Sequence, residues 1–232
     1  MYRVEYYADS DVGLVRKKNE DSFAILSDEN FFAIADGLGG HRAGEVASKE
    51  AVSYLCQAVK ELFASTHTPL TAPKLEQFLS SIFQNVNSWV HHLSCNIEDY
   101  HGMGTTLSSA LLFQEDLICS HIGDSRIYQF RNQKLTQLTL DHAQVQANYC
   151  KSLTQIIGSS RRIKADSKII KALPGDSYIL CSDGLTDSVK ESQIYDILSL
   201  ELPAKVKTKE LIRCAKKQGG SDNITVLVID LK

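Results

Sequence analysis

Thr105-Thr106-Leu107-Ser108-Ser109-Ala110-Leu111-Leu112-Phe113, Leu117-Ile118-Cys119-Ser120-His121-Ile122 and Arg126-Ile127-Tyr128-Gln129-Phe130 are three β-type runs in close succession, and a fourth follows over residues 135–139. The gaps carry Glu115-Asp116 and Asn132-Gln133, which read as hairpin turns, so the runs predict antiparallel pairing. Working outward, further strands are expected at residues 31–35, 168–172, 177–181 and 223–229. Over residues 44–63 the apolar side chains instead recur at three- and four-residue steps, the signature of a one-faced helix. A second helix is expected from Thr71 as N-cap, with Pro73 in its first turn. Its stripe is Leu75, Phe78, Leu79, Ile82, Phe83, Val86, Trp89, Val90 and Leu93, which assigns the sole Trp to the core. Two more helices are expected near residues 191–200 and 205–217. Strands at the beginning, middle and end with helix pairs between them predict an α+β fold of antiparallel sheets covered by helices.

Bulk properties set limits. A chain of 232 residues can bury one large core or two small ones, and no shift in composition marks a boundary. The formal charge of -3 gives no reason to expect nucleic acid or an anionic membrane as partner, and the stretch Arg161-Arg162-Ile163-Lys164 reads as a solvated loop or strand edge. Met1-Tyr2-Arg3-Val4-Glu5 has charges where a signal peptide needs an apolar run, and no stretch has the length of a membrane span. Cysteines 56, 95, 119, 150, 181 and 214 are scattered without CxxC spacing, which argues against a disulfide framework or zinc site and for the cytosol.

Four islands carry chemistry: Asn19-Glu20-Asp21, Phe31 through Gly37, Ile179 through Gly184, and Gly219-Gly220-Ser221-Asp222-Asn223. Asp beside Gly is ordinary turn chemistry, and Pro174-Gly175-Asp176 reads as such a turn. Asp36 and Asp183 differ because each leaves the end of an apolar, buried-type strand, where side chains are held rigidly. Two carboxylates about 4 Å apart repel by roughly 4 kcal/mol at an effective dielectric of 20, so convergence of the islands would demand a cation. Hard carboxylate oxygens suit Mg2+ or Mn2+.

The order of motifs resembles the metal-dependent protein phosphatases of the PPM or PP2C family, in its bacterial serine/threonine form. The residues that carry the resemblance are Gly13 through Asp21, Asp36-Gly37-Leu38-Gly39-Gly40-His41 with Gly44 through Ser48, Gly102-Met103-Gly104-Thr105-Thr106, Gly123-Asp124-Ser125-Arg126, Ser182-Asp183-Gly184-Leu185 and Gly220 through Asn223. The resemblance implies a four-layer α-β-β-α sandwich as a single domain over residues 1–232. It also implies two Mg2+ or Mn2+ ions, with Asp36 bridging both, Asp183 and Asp222 holding one, and Glu20 with the Gly37 carbonyl serving the other. By the same resemblance Asp21 and Asn223 support the site, Asp124 joins Asp183 at a third, weaker ion, and Arg16 binds the phosphate, where a planar guanidinium surpasses Lys. Water activated between the two ions would attack phosphorus in line.

His41 is open to three readings: general acid, contact to metal-held water, or a residue leading into the helix. His91 and His92 read as surface residues, and His142 follows Asp141 in a pairing common in the family, with no chemistry assigned. Where bacterial relatives carry a mobile flap, around residues 143–165 here, this chain is short, which predicts a more open site with altered substrate choice. The implied partner is a phosphorylated protein, the target of a serine/threonine kinase, met by a monomeric cytosolic enzyme. Two other functions stand beside this one: hydrolysis of small phosphate esters, and a non-catalytic phosphoprotein-binding role. Loss of a carboxylate ligand or of the Arg would mark the last, and none is lost.

Overall fold

Phe31, Ala33 and Ala35 pack against helices, while Phe32 and Ile34 pack against a second sheet. Successive side chains of a strand point to opposite faces, so this apolar run is a strand covered on both sides. The computed structural model describes residues 2–38, 43–65, 69–145 and 151–232. His41 lies outside the described residues.

In chain order, β1 (Val4–Asp11), β2 (Asp21–Leu26) and β3 (Phe31–Leu38) precede two long helices, α1 (Gly44–Ser65) and α2 (Ala72–Asn96). Next come β4 (Gly104–Thr105), β5 (Leu107–Phe113), β6 (Asp116–Ile122), β7 (Arg126–Arg131) and β8 (Lys134–Gln137), then the hairpin β9 (Ala143–Val145) and β10 (Lys151–Leu153). The chain closes with β11 (Asp166–Lys171), β12 (Ser177–Cys181), α3 (Asp183–Thr186), α4 (Glu191–Leu198), α5 (Ala204–Lys217) and β13 (Ile224–Leu231). One sheet has the order β1-β13-β12-β7-β8, the other β11-β6-β5-β3-β2, and every pairing within them is antiparallel.

Three apolar cores glue the layers. α1 and α2 cover the second sheet through Leu55, Leu79, Phe83 and Val86. α4 and α5 cover the first through Ile194, Leu211 and Ala215. Between the sheets Phe32, Ile34, Leu117, Tyr178, Leu180 and Leu227 interdigitate. The result is the expected α-β-β-α sandwich. Among the described residues no helix is long and apolar enough to cross a membrane.

Several expectations need correction. Trp89 is 39% exposed, with Nε1 donating to Glu50 Oε2 at 2.9 Å, because it sits on the margin of the α2 stripe, where an indole keeps its polar edge wet. The run 105–113 breaks at Thr106, since β4 pairs with the end of β3 while β5 pairs with β6 as well. Thr71 stands at the N-cap of α2, yet its hydroxyl makes no cap bond; its carbonyl accepts from Leu75 N at 3.0 Å. Asp116 begins β6 rather than sitting in the turn, whereas Asn132 and Gln133 form theirs with φ of 50° and 58°. Pro174-Gly175-Asp176 is a turn, as read, but Asp176 is buried and takes Arg131 Nε and Nη2 at 2.6 Å each.

The register determines where the islands go. Asp21 stands opposite Asp36, Asp11 opposite Ile224, Arg126 opposite Cys181, and Leu107 opposite Ile122. These pairs share one end of the sandwich. Leu26 with Phe31, Val4 with Leu231 and Ser177 with Phe130 occupy the other. Asp36, Asp124, Asp183 and Asp222 therefore leave their strands at the same rim.

Candidate metal centre

The centre is built from backbone first. Gly37 N donates to Glu20 O at 3.1 Å, and Thr106 N donates to Asp36 O at 2.9 Å, so the end of β3 is held from both sides. Asp36 N in turn donates to Thr106 Oγ1 at 2.9 Å. A β-carbon on Gly37 would come within 2.2 Å of Gly44 O, and one on Gly44 within 2.6 Å of Glu20 Oε2. Only glycine allows β3, the start of α1 and the Glu20 carboxylate to meet so closely.

Asn223 joins the first and last islands. Its Oδ1 accepts from Glu20 N at 2.8 Å, and its Nδ2 donates to Val12 O and Lys18 O at 3.0 and 2.9 Å. The loop carrying Arg16 and Glu20 is thereby stitched to the turn carrying Asp222. Arg16 itself reaches the cluster, with Nη2 on Asp222 Oδ2 at 2.7 Å. Asp21 Oδ2 accepts from Ser182 Oγ at 2.8 Å and Thr225 Oγ1 at 2.6 Å, while its Oδ1 is buried with no hydrogen-bond donor.

The charges record the convergence. The Asp36 carboxyl is pushed well above the ordinary carboxylate range by burial and then by Asp21, Asp183, Asp222 and Asp124. Burial first, offset in part by its two hydroxyl donors, pushes Asp21 up to about 6. Glu20 is raised by burial and by Glu45, against the pull of Arg16 and Lys18. Arg16 is held above its usual value, chiefly by its hydrogen bond to Asp222 and then by Glu20 and Asp36.

The structure thus brings Arg16, Glu20, Asp21, Asp36, Gly37, Asp124, Asp183, Asp222 and Asn223 to one rim. Among the described residues no three such side chains already close on a point as a finished metal cage. The fit to Mg2+ or Mn2+ is one of chemistry and charge: hard oxygen donors, an unpartnered buried Asp21 Oδ1, and carboxylates that outnumber the neighbouring Arg16. A groove of about 490 Å³ between β2 and α1 runs up to Asp21, but one of about 620 Å³ at Ser177, Lys207 and Asp230 shares no residue with the cluster.

Ser182, Thr225 and Thr106 were not assigned from sequence. The Ser182 and Thr225 hydroxyls orient Asp21, and Thr106 holds the Asp36 backbone. Thr106 and Ser182 stand within motifs and Thr225 in an ordinary β-type run, but no motif position shows that a hydroxyl meets Asp21 or the Asp36 backbone.

Comparison with known proteins agrees with this fold. A family model described as Protein phosphatase 2C matches residues 15–227. The serine/threonine phosphatase stp of Listeria monocytogenes is 35% identical over 239 aligned positions, covering 95% of this chain and 93% of the relative. The crystal structure of the Mycobacterium tuberculosis serine/threonine phosphatase PstP/Ppp superposes with a TM-score of 0.88 at 32% identity, covering 100% of both chains. A catalytic-domain structure of PstP, in complex with two manganese ions, gives 0.86 at 34% identity over 100% of this chain and 99% of that one. With the family model spanning nearly all of the sandwich and the acidic rim within it, the chain belongs to the protein phosphatase 2C family.

Proposed function

We propose that the acidic rim is the catalytic centre with which this chain hydrolyses phosphoserine and phosphothreonine in proteins, using two Mg2+ or Mn2+ ions. The observation that carries the reading is Asp36, a half-buried residue whose carboxylate faces the charges of Asp21, Asp183, Asp222 and Asp124. A phosphoryl dianion would be repelled by such a cluster, so a phosphatase centre of this composition requires cations. In our assignment Asp36, Asp183, Asp222, Glu20 and the Gly37 carbonyl would hold the two ions, and Asp124 with Asp183 would offer a third, weaker place. When bound, such ions lower the pKa of water and offset charge on phosphoryl oxygens.

The chain's own groups do the rest. Arg16 stands half-exposed beside Asp222, where its planar fork can take phosphoryl oxygens. Asn223 keeps the Arg16 loop and the Asp222 turn in register. Ser182 and Thr225 orient Asp21 behind the ligands. The assigned substrate is a phosphoprotein made by a serine/threonine kinase, and the assigned state a cytosolic monomer of one domain with a shortened flap. That flap is the observation favouring small phosphate esters as a second substrate class: the hairpin β9–β10 has strands of three residues each.

Asp36→Ala tests the centre. Turnover of a phosphothreonine peptide in saturating Mn2+ is expected to fall about a hundred- to a thousandfold, the span ascribed to a lost charge-stabilising group, with the far-UV circular dichroism unchanged. Retained turnover in a folded variant refutes the assignment.

A further inference from the structure

We infer that His142 is a positioning residue for Asp124; the inference rests on the assignment of Asp124 to the third ion. Asp124 lies in the turn after β6, behind Gly123, whose φ is +103° and whose β-carbon, if it had one, would come within 2.5 Å of Thr106 Cγ2. Position 123 therefore has no side chain with which to fix the turn, and main-chain hydrogen bonds set its aim.

Both polar groups of Gly123 go to His142. Gly123 N donates to His142 Nδ1 at 3.2 Å, and His142 N donates to Gly123 O at 2.7 Å. A ring whose Nδ1 accepts carries its proton on Nε2, and that nitrogen stands 3.2 Å from Asp166 Oδ2, to which it donates. This is the arrangement by which an outer carboxylate fixes the tautomer and tilt of an imidazole. The ring is further held by stacking on the buried His121, centroid to centroid 5.0 Å at 28°.

The preceding residue completes the grip. Asp141 takes Arg126 through Nε and Nη2 at 2.9 Å each. Asp141-His142 thus holds both ends of the 123–126 turn, with Asp124 between. The His142 carbonyl also accepts from Thr154 N at 2.8 Å, just beyond β10. The residue that roots the flap hairpin is therefore the one that aims Asp124.

The test uses the full chain and Mn2+ binding, followed by calorimetry and by electron paramagnetic resonance of free Mn2+. His142→Leu removes both ring bonds, His142→Asn keeps an acceptor for Gly123 N, and Asp166→Ala cuts only the outer bond at a half-exposed residue. Asp124→Ala is the reference for the weakest class of ion. His142→Leu is expected to weaken that class about tenfold or more, the usual cost of a lost outer-shell partner, with the tighter ions and circular dichroism as in the wild type. His142→Asn should recover most of the loss, and Asp166→Ala should lose several-fold; if His142→Leu does not fold, that last variant decides. Wild-type affinity of the weakest class in the folded variants overturns the inference, as does an equal loss at every ion. Wild-type binding in Asp124→Ala overturns the assignment of Asp124, and the inference with it.

Discussion

At Asp36, burial and four neighbouring carboxylates push in one direction, and at Asp21 burial outweighs two hydroxyl donors. Both carboxyls are raised above their unfolded values, so below an unfolded pKa of about 4 they cost the fold nothing. As pH rises from the unfolded values to the folded ones, near 6 for Asp21 and well above the ordinary carboxylate range for Asp36, the folded state holds protons the unfolded one has lost, and stability falls. With divalent ions removed by chelator, the melting temperature is therefore expected to decline from about pH 4 to about pH 6. Asp36→Asn should flatten the decline and gain about 1 kcal/mol at neutral pH, or roughly 2–4 °C in a domain of this size. A scan of Tm against pH on both proteins checks this, and identical slopes would contradict the charge crowding. These two acids were legible because each sits at the rim of a motif with a recognisable order. Ser182 and Thr225 were not, since what makes them partners of Asp21 is a meeting of segments far apart in the chain.

The elements that positioned themselves most clearly in sequence were α1 and α2, whose stripes run long enough for the helical period to stand out. β1 escaped because all eight of its residues are partly buried, leaving no alternation to read. α3 escaped because four residues cannot show a helical period. Yet α3 carries Asp183, and it packs so tightly on the turn before β13 that a β-carbon on Gly184 would lie 2.0 Å from Asn223 O. No real contact is that short, so Gly184→Ala must push α3 away from the Asp222-Asn223 turn. The expected result is a stability loss of about 1–3 kcal/mol from overpacking. Mn2+ affinity should also fall by about tenfold or more, because Asp183 and Asp222 can no longer serve one ion together. Denaturant melts give the first quantity and calorimetry the second. A variant that loses stability but binds Mn2+ as before would detach α3 from the metal centre.

The whole molecule has two chemically opposite ends. At one, each buried carboxylate has its own cation: Asp176 has Arg131, and Asp230 takes Lys207 Nζ at 3.0 Å on both oxygens. At the other, Asp36 faces the charges of Asp21, Asp183, Asp222 and Asp124, and Arg16 pairs with Asp222. The sandwich is tied shut at the first end, and carboxylates crowd the second, where we place the reaction. The Listeria alignment runs to 239 positions, more than the 232 residues of this chain, so the relative carries residues this chain lacks. A missing flap segment beside Asp124 would uncover the rim without touching Asp36, Asp183 or Asp222. Surface loops select substrates while the sheets hold the ions, so the chemical step should survive and discrimination should weaken. Grafting a longer flap between β9 and β10 is expected to raise the ratio of kcat/KM for a phosphothreonine peptide over that for an aryl phosphate by about tenfold, the discrimination that one or two added apolar contacts supply. The rise should come through KM for the peptide, with kcat for the aryl ester nearly unchanged, because the graft adds substrate contacts and leaves Asp36 and its neighbours in place. An unchanged ratio in a graft that folds and binds Mn2+ would mean that specificity resides in the rim itself.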